Sequence, residues 1–168
     1  MKKSKNKPTV LWLQGLTCNG NTHSFLSSSS SRFEQFLNSF KLLYHPTLSV
    51  DIKLSDILKS NDSIDYLLVE GAITNNQYYF SISNKKISDI LNELIKRSKF
   101  VIAVGSCASY GGIHQKFEEN GDIAGVSEFI SDYNNEKLTH PIINLTGCPV
   151  HPEWILQTLF TLKINNKI

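Results

Sequence analysis

Cysteine occurs three times in this chain, and each copy stands in a glycine-marked turn: Gly15-Leu16-Thr17-Cys18-Asn19-Gly20-Asn21, Gly105-Ser106-Cys107-Ala108 and Gly147-Cys148-Pro149. Each turn follows an apolar run that reads as a buried strand: Val10–Leu13, Phe100–Val104 and Pro141–Leu145. A lone free cysteine is commonly a small buried apolar residue. Three at strand ends are different, because thiolates are soft metal donors and an open parallel sheet binds ligands outside the carboxyl ends of its strands. The pattern points to a metal cluster. An iron–sulfur cubane normally takes four protein ligands, so one ligand is not a cysteine or one position is open. Isolated cysteines that cannot pair completely also suit a reducing compartment better than a disulfide scaffold.

The elements that must position these turns alternate strand and helix with short links. That order predicts an α/β fold: a flavodoxin-like open parallel sheet with helices on both faces, in a single domain. After Val10–Leu13, a helix is expected over Phe33–Phe40, with Phe33, Phe36, Leu37 and Phe40 on its core face. Lys41–Tyr44 reads as the second strand, Ser55–Leu58 opens a weak helix, and Asp65–Val69 reads as the third strand. Thr74–Asn84 is expected to form a small hairpin or an ordered loop. Lys86–Arg97 has the spacing of an amphipathic helix, burying Ile87, Ile90, Leu91, Leu94 and Ile95. Phe100–Val104 is the fourth strand, and Tyr110–Gly125 reads as a polar connection long enough to suggest function. Phe129 and Ile130 mark a short helix, Pro141–Leu145 the fifth strand, and Pro152–Leu162 a terminal helix. The run Ser27–Ser31 reads as a polar loop. Residues 1–8 are expected to be a disordered basic tail and residues 9–168 the domain. In the strand order 2-1-3-4-5, the ends of strands one, three, four and five share one edge, which gathers Cys18, Glu70, Cys107 and Cys148.

Composition narrows the classes further. A chain of 168 residues that is 40% hydrophobic and 19% charged suits one globular domain. A net charge of +2 is too small to argue for nucleic acid, and much of the local basicity lies in Lys2, Lys3, Lys5 and Lys7. No apolar stretch is long enough to span a bilayer, and neither a signal segment nor a twin-arginine pair is found, so a cytoplasmic location is expected. The dinucleotide fingerprint Gly-x-Gly-x-x-Gly is absent; Cys18 stands in the first turn instead.

Four stretches carry a resemblance. They are Leu11-Trp12-Leu13-Gln14-Gly15-Leu16-Thr17-Cys18-Asn19-Gly20-Asn21-Thr22, Val69-Glu70-Gly71-Ala72-Ile73, Gly105-Ser106-Cys107-Ala108-Ser109-Tyr110-Gly111-Gly112-Ile113 and Asn144-Leu145-Thr146-Gly147-Cys148-Pro149-Val150-His151-Pro152. In this order the chain resembles the small subunit of nickel–iron hydrogenases, in its N-terminal domain. The resemblance implies that Cys18, Cys107 and Cys148 hold a proximal iron–sulfur cluster, [4Fe–4S] or [3Fe–4S], facing a nickel–iron centre in a separate large subunit. It also implies an electron-transfer role, with no catalytic residue in this chain. The family's first motif is usually Cys-x-x-Cys, and by position Asn21 replaces the second cysteine.

Four readings of Asn21 stay open. Its amide oxygen could ligate the fourth iron. Glu70, Asp122 or His23 could do so instead. The fourth iron could carry water or be lost, leaving three irons on three cysteines. Or the site could be empty. Glu70 has two readings of its own, as a carboxylate capping amides of the next turn, or as a group that tunes the cluster or moves protons toward the large subunit. His45, His114, His140 and His151 read as surface or hydrogen-bonding residues. With no cysteines left over, electrons are expected to pass to a further electron-transfer subunit or a soluble acceptor. The rival readings are a cluster-poor or three-iron sensory subunit, a flavodoxin-like FMN protein, and the cluster-bearing subunit of respiratory complex I. The FMN reading is disfavoured by a cysteine in the phosphate loop. The last typically has adjacent cysteines in its first motif, which Thr17-Cys18-Asn19 does not match.

Overall fold

The computed structural model describes residues 7–117, 120–133 and 142–165. Five parallel strands form the central sheet: β1 (Thr9–Gln14), β2 (Lys41–Tyr44), β3 (Ile64–Glu70), β7 (Ser98–Val104) and β9 (Ile142–Leu145), side by side in the order β2-β1-β3-β7-β9. Counting only these five, that is the expected flavodoxin-like order, with strand one flanked by strands two and three. Two small antiparallel pairs stand apart from it, β4 (Ile73–Thr74) with β8 (Ile123–Ala124) and β5 (Ser81–Ile82) with β6 (Lys85–Lys86).

Alternation along the strands makes two cores. One face carries Leu11, Leu13, Leu67, Val69, Val101 and Ala103 and is covered by α3 (Leu54–Lys59), α4 (Ile87–Ile95) and α7 (Val126–Tyr133). The other carries Val10, Trp12, Tyr66, Leu68, Ile102 and Val104 and is covered by α1 (Gly20–Leu26), α2 (Ser30–Ser39) and α8 (Pro152–Asn165). Parallel strands buried on both faces read as unbroken apolar runs, which is why they were visible in the sequence. Arg32 of α2 pairs with Glu153 of α8 at 3.0 Å, tying the two helices together over the second core.

Several expectations change at this level. The first helix was missed: Gly20–Leu26 forms α1, and Ser30 and Ser31 of the supposed serine loop open α2. Leu37 is 45% exposed and leaves the core face of this helix to Phe36 and Phe40, with Phe33 partly buried beside them. The polar connection Tyr110–Gly125 contains structure: α5 (Ser106–Tyr110) runs to its start, and α6 (Gly112–Lys116) and β8 lie within it. The segment Thr74–Asn84, expected to be a small hairpin or an ordered loop, contributes β5 to a hairpin whose other strand, β6, lies just beyond it. Lys7 and Pro8, assigned to the tail, are tied to the fold, since the Lys7 ammonium donates to the Leu37 carbonyl and the Lys41 amide donates to the Pro8 carbonyl. Residues 1–6 of that tail, His140 and Pro141 lie outside the described residues.

Candidate metal centre

One register row sets the site. Gln14 lies beside Glu70, Glu70 beside Val104, and Val104 beside Leu145, so four parallel strands end level. Cys18, Cys107 and Cys148 each follow that row within a few residues, on three different turns. All three are free; Cys18 and Cys148 are exposed and Cys107 is half-buried. They share one electrostatic neighbourhood. Burial pushes the Cys107 thiol up, Cys148, Cys18 and Glu70 push the same way, and a hydrogen bond from the Ile113 amide opposes them. A positive centre placed among such thiols relieves that penalty and makes them thiolates.

Backbone close approach builds the turns. Gly71 has φ +92°, and a Cβ there would come within 2.5 Å of the Leu16 carbonyl oxygen. With glycine in place, Leu16 and Ala72 exchange backbone hydrogen bonds of 2.9 Å in each direction. The Cys18 turn is thereby clamped to the end of β3. Gly112 plays the matching part beside Cys107, where a Cβ would lie 2.7 Å from the sulfur. The Ser106 amide donates to the Gly147 carbonyl at 2.9 Å, joining the Cys107 and Cys148 turns directly.

Glu70 is wholly buried and accepts six hydrogen bonds. One oxygen takes the Thr17 hydroxyl at 3.2 Å and the Asn21 and Thr22 amides at 3.0 and 3.2 Å. The other takes the Trp12 indole at 3.0 Å, the Gln14 amide at 3.1 Å and the Thr22 hydroxyl at 2.5 Å. This is the amide-capping geometry, and it leaves the carboxylate no free lone pair directed at a metal. Asn21 is also buried: its Nδ2 donates to the Val104 carbonyl at 3.3 Å and its Oδ1 accepts from the Val150 amide at 2.9 Å.

The remaining candidates stand elsewhere or are engaged. Asp122 accepts a bond from Asn76 at 3.3 Å beside the β4–β8 pair. His23 is exposed on α1, and His114 lies half-buried on α6. His151 is exposed, and its Nδ1 accepts from the Glu153 amide at the start of α8. His45, expected at the surface or hydrogen-bonded, is fully buried against Trp12 and accepts the Thr47 amide at 3.1 Å. Among the described residues, no three His, Cys, Asp or Glu side chains converge tightly enough to hold a single metal ion. Three soft thiol donors on neighbouring turns of one sheet edge are a donor set whose chemistry fits an iron–sulfur cluster. The sequence reading did not find the Glu70 donors Trp12, Gln14, Thr17 and Thr22. Their signal was their place on or beside the register row, which strand order alone does not set.

Comparison with known proteins then decides the family. A family model described as NADH ubiquinone oxidoreductase, 20 Kd subunit, matches residues 18–162. The chain belongs to this family. Its relatives include hydrogenase small subunits, as the four motifs led one to expect. The F420 non-reducing hydrogenase I small subunit of Methanosarcina mazei is 32% identical, over 89% of this chain and 47% of the relative. The periplasmic NiFeSe hydrogenase small subunit of Desulfomicrobium baculatum is 28% identical, over 95% of this chain and 56% of the relative. A crystal structure of the reduced, active NiFeSe hydrogenase from the same organism superposes with a TM-score of 0.79 at 28% identity, covering 96% of this chain and 64% of that one. The chain thus spans about half the length of the curated relatives it matches. The family model carries the name of the complex I reading, whereas these sequences and this structure are hydrogenases. No helix among the described residues is long and apolar enough to cross a membrane.

Proposed function

We propose that this chain is the electron-transfer small subunit of a nickel–iron hydrogenase, acting in hydrogen oxidation or evolution with a separate large subunit that holds the nickel–iron centre. Cys18, Cys107 and Cys148 hold one iron–sulfur cluster in this reading. When bound, that cluster supplies a one-electron carrier. The supporting observation is the placement of three free thiols on three turns that follow one register row. The chain's own groups do the rest. Ile113 directs an amide at the Cys107 sulfur. Glu70 fixes the turn carrying Cys18 through the Thr17, Asn21 and Thr22 donors. The exposed Cys18 and Cys148 place the site at the surface, where a large subunit can seal it from water. Onward transfer goes to a further electron-transfer subunit or a soluble acceptor. A cytoplasmic location is part of the same proposal.

The test is anaerobic co-purification with the large subunit, followed by iron and acid-labile sulfide analysis. About four sulfides, with about three or four irons beyond that of the nickel–iron centre, are expected per complex, falling sharply in Cys148→Ala. Sulfide near zero in the wild-type complex overturns the reading.

A further inference from the structure

Asn21 occupies the position where the resemblance places a fourth cysteine, yet its side chain is spent inside the fold. It is 8% exposed. Its amide spans two turns: Nδ2 donates to the Val104 carbonyl, just before the Cys107 turn, and Oδ1 accepts from the Val150 amide, just after Cys148. The amide orientation follows from its partners. Flipped, an NH2 would face the Val150 N–H and an oxygen would face the Val104 carbonyl.

With the Ser106 to Gly147 bond, these two contacts close a triangle. The Cys18 turn is joined to the Cys107 turn through Nδ2, the Cys18 turn to the Cys148 turn through Oδ1, and the last two turns to each other through backbone. Gly105 is shaped to this arrangement, since a Cβ there would lie 2.3 Å from Asn21 Nδ2. We propose that Asn21 is a positioning residue that braces the three cysteine turns against one another through Val104 and Val150, and is not the fourth iron ligand. The proposal rests on the cluster-holding reading of Cys18, Cys107 and Cys148. Both ends of the amide are engaged inside the fold, so turning the side chain toward a metal would break its bonds to the Val104 carbonyl and to the N–H of buried Val150. A cysteine at this position could make neither strong contact, because a thiol is a weak donor and a weak acceptor.

Asparagine to aspartate separates the two roles. Asn21→Asp offers a better oxygen ligand and still accepts from Val150, but it sets an oxygen against the Val104 carbonyl. Wild type, Asn21→Asp, Asn21→Ala and the core control Ile90→Val are compared as full-length chains co-expressed with the large subunit. The readouts are the rate of iron loss to a chelator, the electron paramagnetic resonance line shape, and hydrogen exchange at the Val150 amide. Both Asn21 variants are expected to lose iron about tenfold faster, and Asn21→Ala to exchange Val150 about tenfold faster, the weight of roughly one hydrogen bond. The remaining cluster keeps the wild-type line shape, and Ile90→Val, though less stable, keeps the wild-type rate of iron loss. Wild-type rates of iron loss in both Asn21 variants, an altered line shape with iron retained in Asn21→Asp, or unchanged Val150 exchange in Asn21→Ala each overturn the brace. If wild type itself holds no iron, the cluster reading falls, and Val150 exchange still decides whether Asn21 joins the turns.

Discussion

Glu70 shows what one residue does for the site. A buried carboxylate is costly unless its oxygens are satisfied, and here each takes three donors. Glu70→Gln keeps the shape but turns one acceptor into a donor, leaving two N–H groups facing an NH2, while the threonine hydroxyl on that side can turn to accept. Buried donors left without an acceptor cost about 1–3 kcal/mol each. The expected loss is at least about 2 kcal/mol, or roughly 4–8 °C in Tm for a chain of this size. Thermal unfolding followed by circular dichroism measures it, and an unchanged Tm would contradict the hub role. The sequence made Glu70 visible as a strand-end acid, with two readings. It could not show the choice between them, because four side-chain donors come from Trp12, Gln14, Thr17 and Thr22, and their convergence depends on the register of β1 against β3 and on the path of the Cys18 turn. For Asn21 the loss of information was greater. Motif position suggested a ligand, whereas the partners that occupy its amide lie 83 and 129 residues away.

At the scale of elements, α1 is the instructive miss. Gly20-Asn21-Thr22-His23-Ser24-Phe25-Leu26 has little intrinsic helix preference, with glycine, asparagine, threonine and serine in one short run. Tertiary contacts make the helix. Glu70 accepts the Asn21 and Thr22 amides in its first turn, and Phe25 packs on Trp12, Phe33, Phe36 and His45. By contrast, the five core strands and α4 were legible, because continuous apolar runs and a helical stripe report burial directly. The same packing buries His45 at the end of β2, and burial lowers its pKa to about 4 against a partial counter-pull from Glu70. The unfolded chain, with histidine near 6.5, therefore takes up a proton before the folded chain does. Stability from this group is complete above pH 6.5 and is lost as pH falls toward 4, by about 1.4 kcal/mol per unit and about 3 kcal/mol at most. Denaturant unfolding between pH 7 and 4.5 should show this slope in wild type and a flatter one in His45→Phe. Parallel slopes would mean that His45 is solvated in the folded protein.

At the scale of the whole molecule, the level ends of β1, β3, β7 and β9 place the site at one edge, and that edge is also apolar. Tyr110, Ile113 and Phe117, which follow Cys107, are 61%, 65% and 79% exposed, and Trp154, which follows Cys148, is 59% exposed. Large side chains left in water around a functional edge mark a surface built for another protein, and aromatic residues are the usual anchors of such contacts. An interface here would bury Cys18 and Cys148 together with these side chains and exclude water from the proposed cluster site. Phe117→Asp and Trp154→Asp each leave the two cores intact. Each is expected to weaken association with the proposed large-subunit partner by about 2 kcal/mol, roughly thirtyfold in Kd, because a charge replaces a desolvated anchor. Ile164 is 81% exposed at the far end of α8, below the opposite edge of the sheet, so Ile164→Asp serves as the matched control. Affinity measured by titrating tagged chain against large subunit should fall for the first two variants and hold for the third. Equal affinities across all three would place the docking surface away from the cysteine edge, and the buried route from cluster to partner would have to leave the chain by another face.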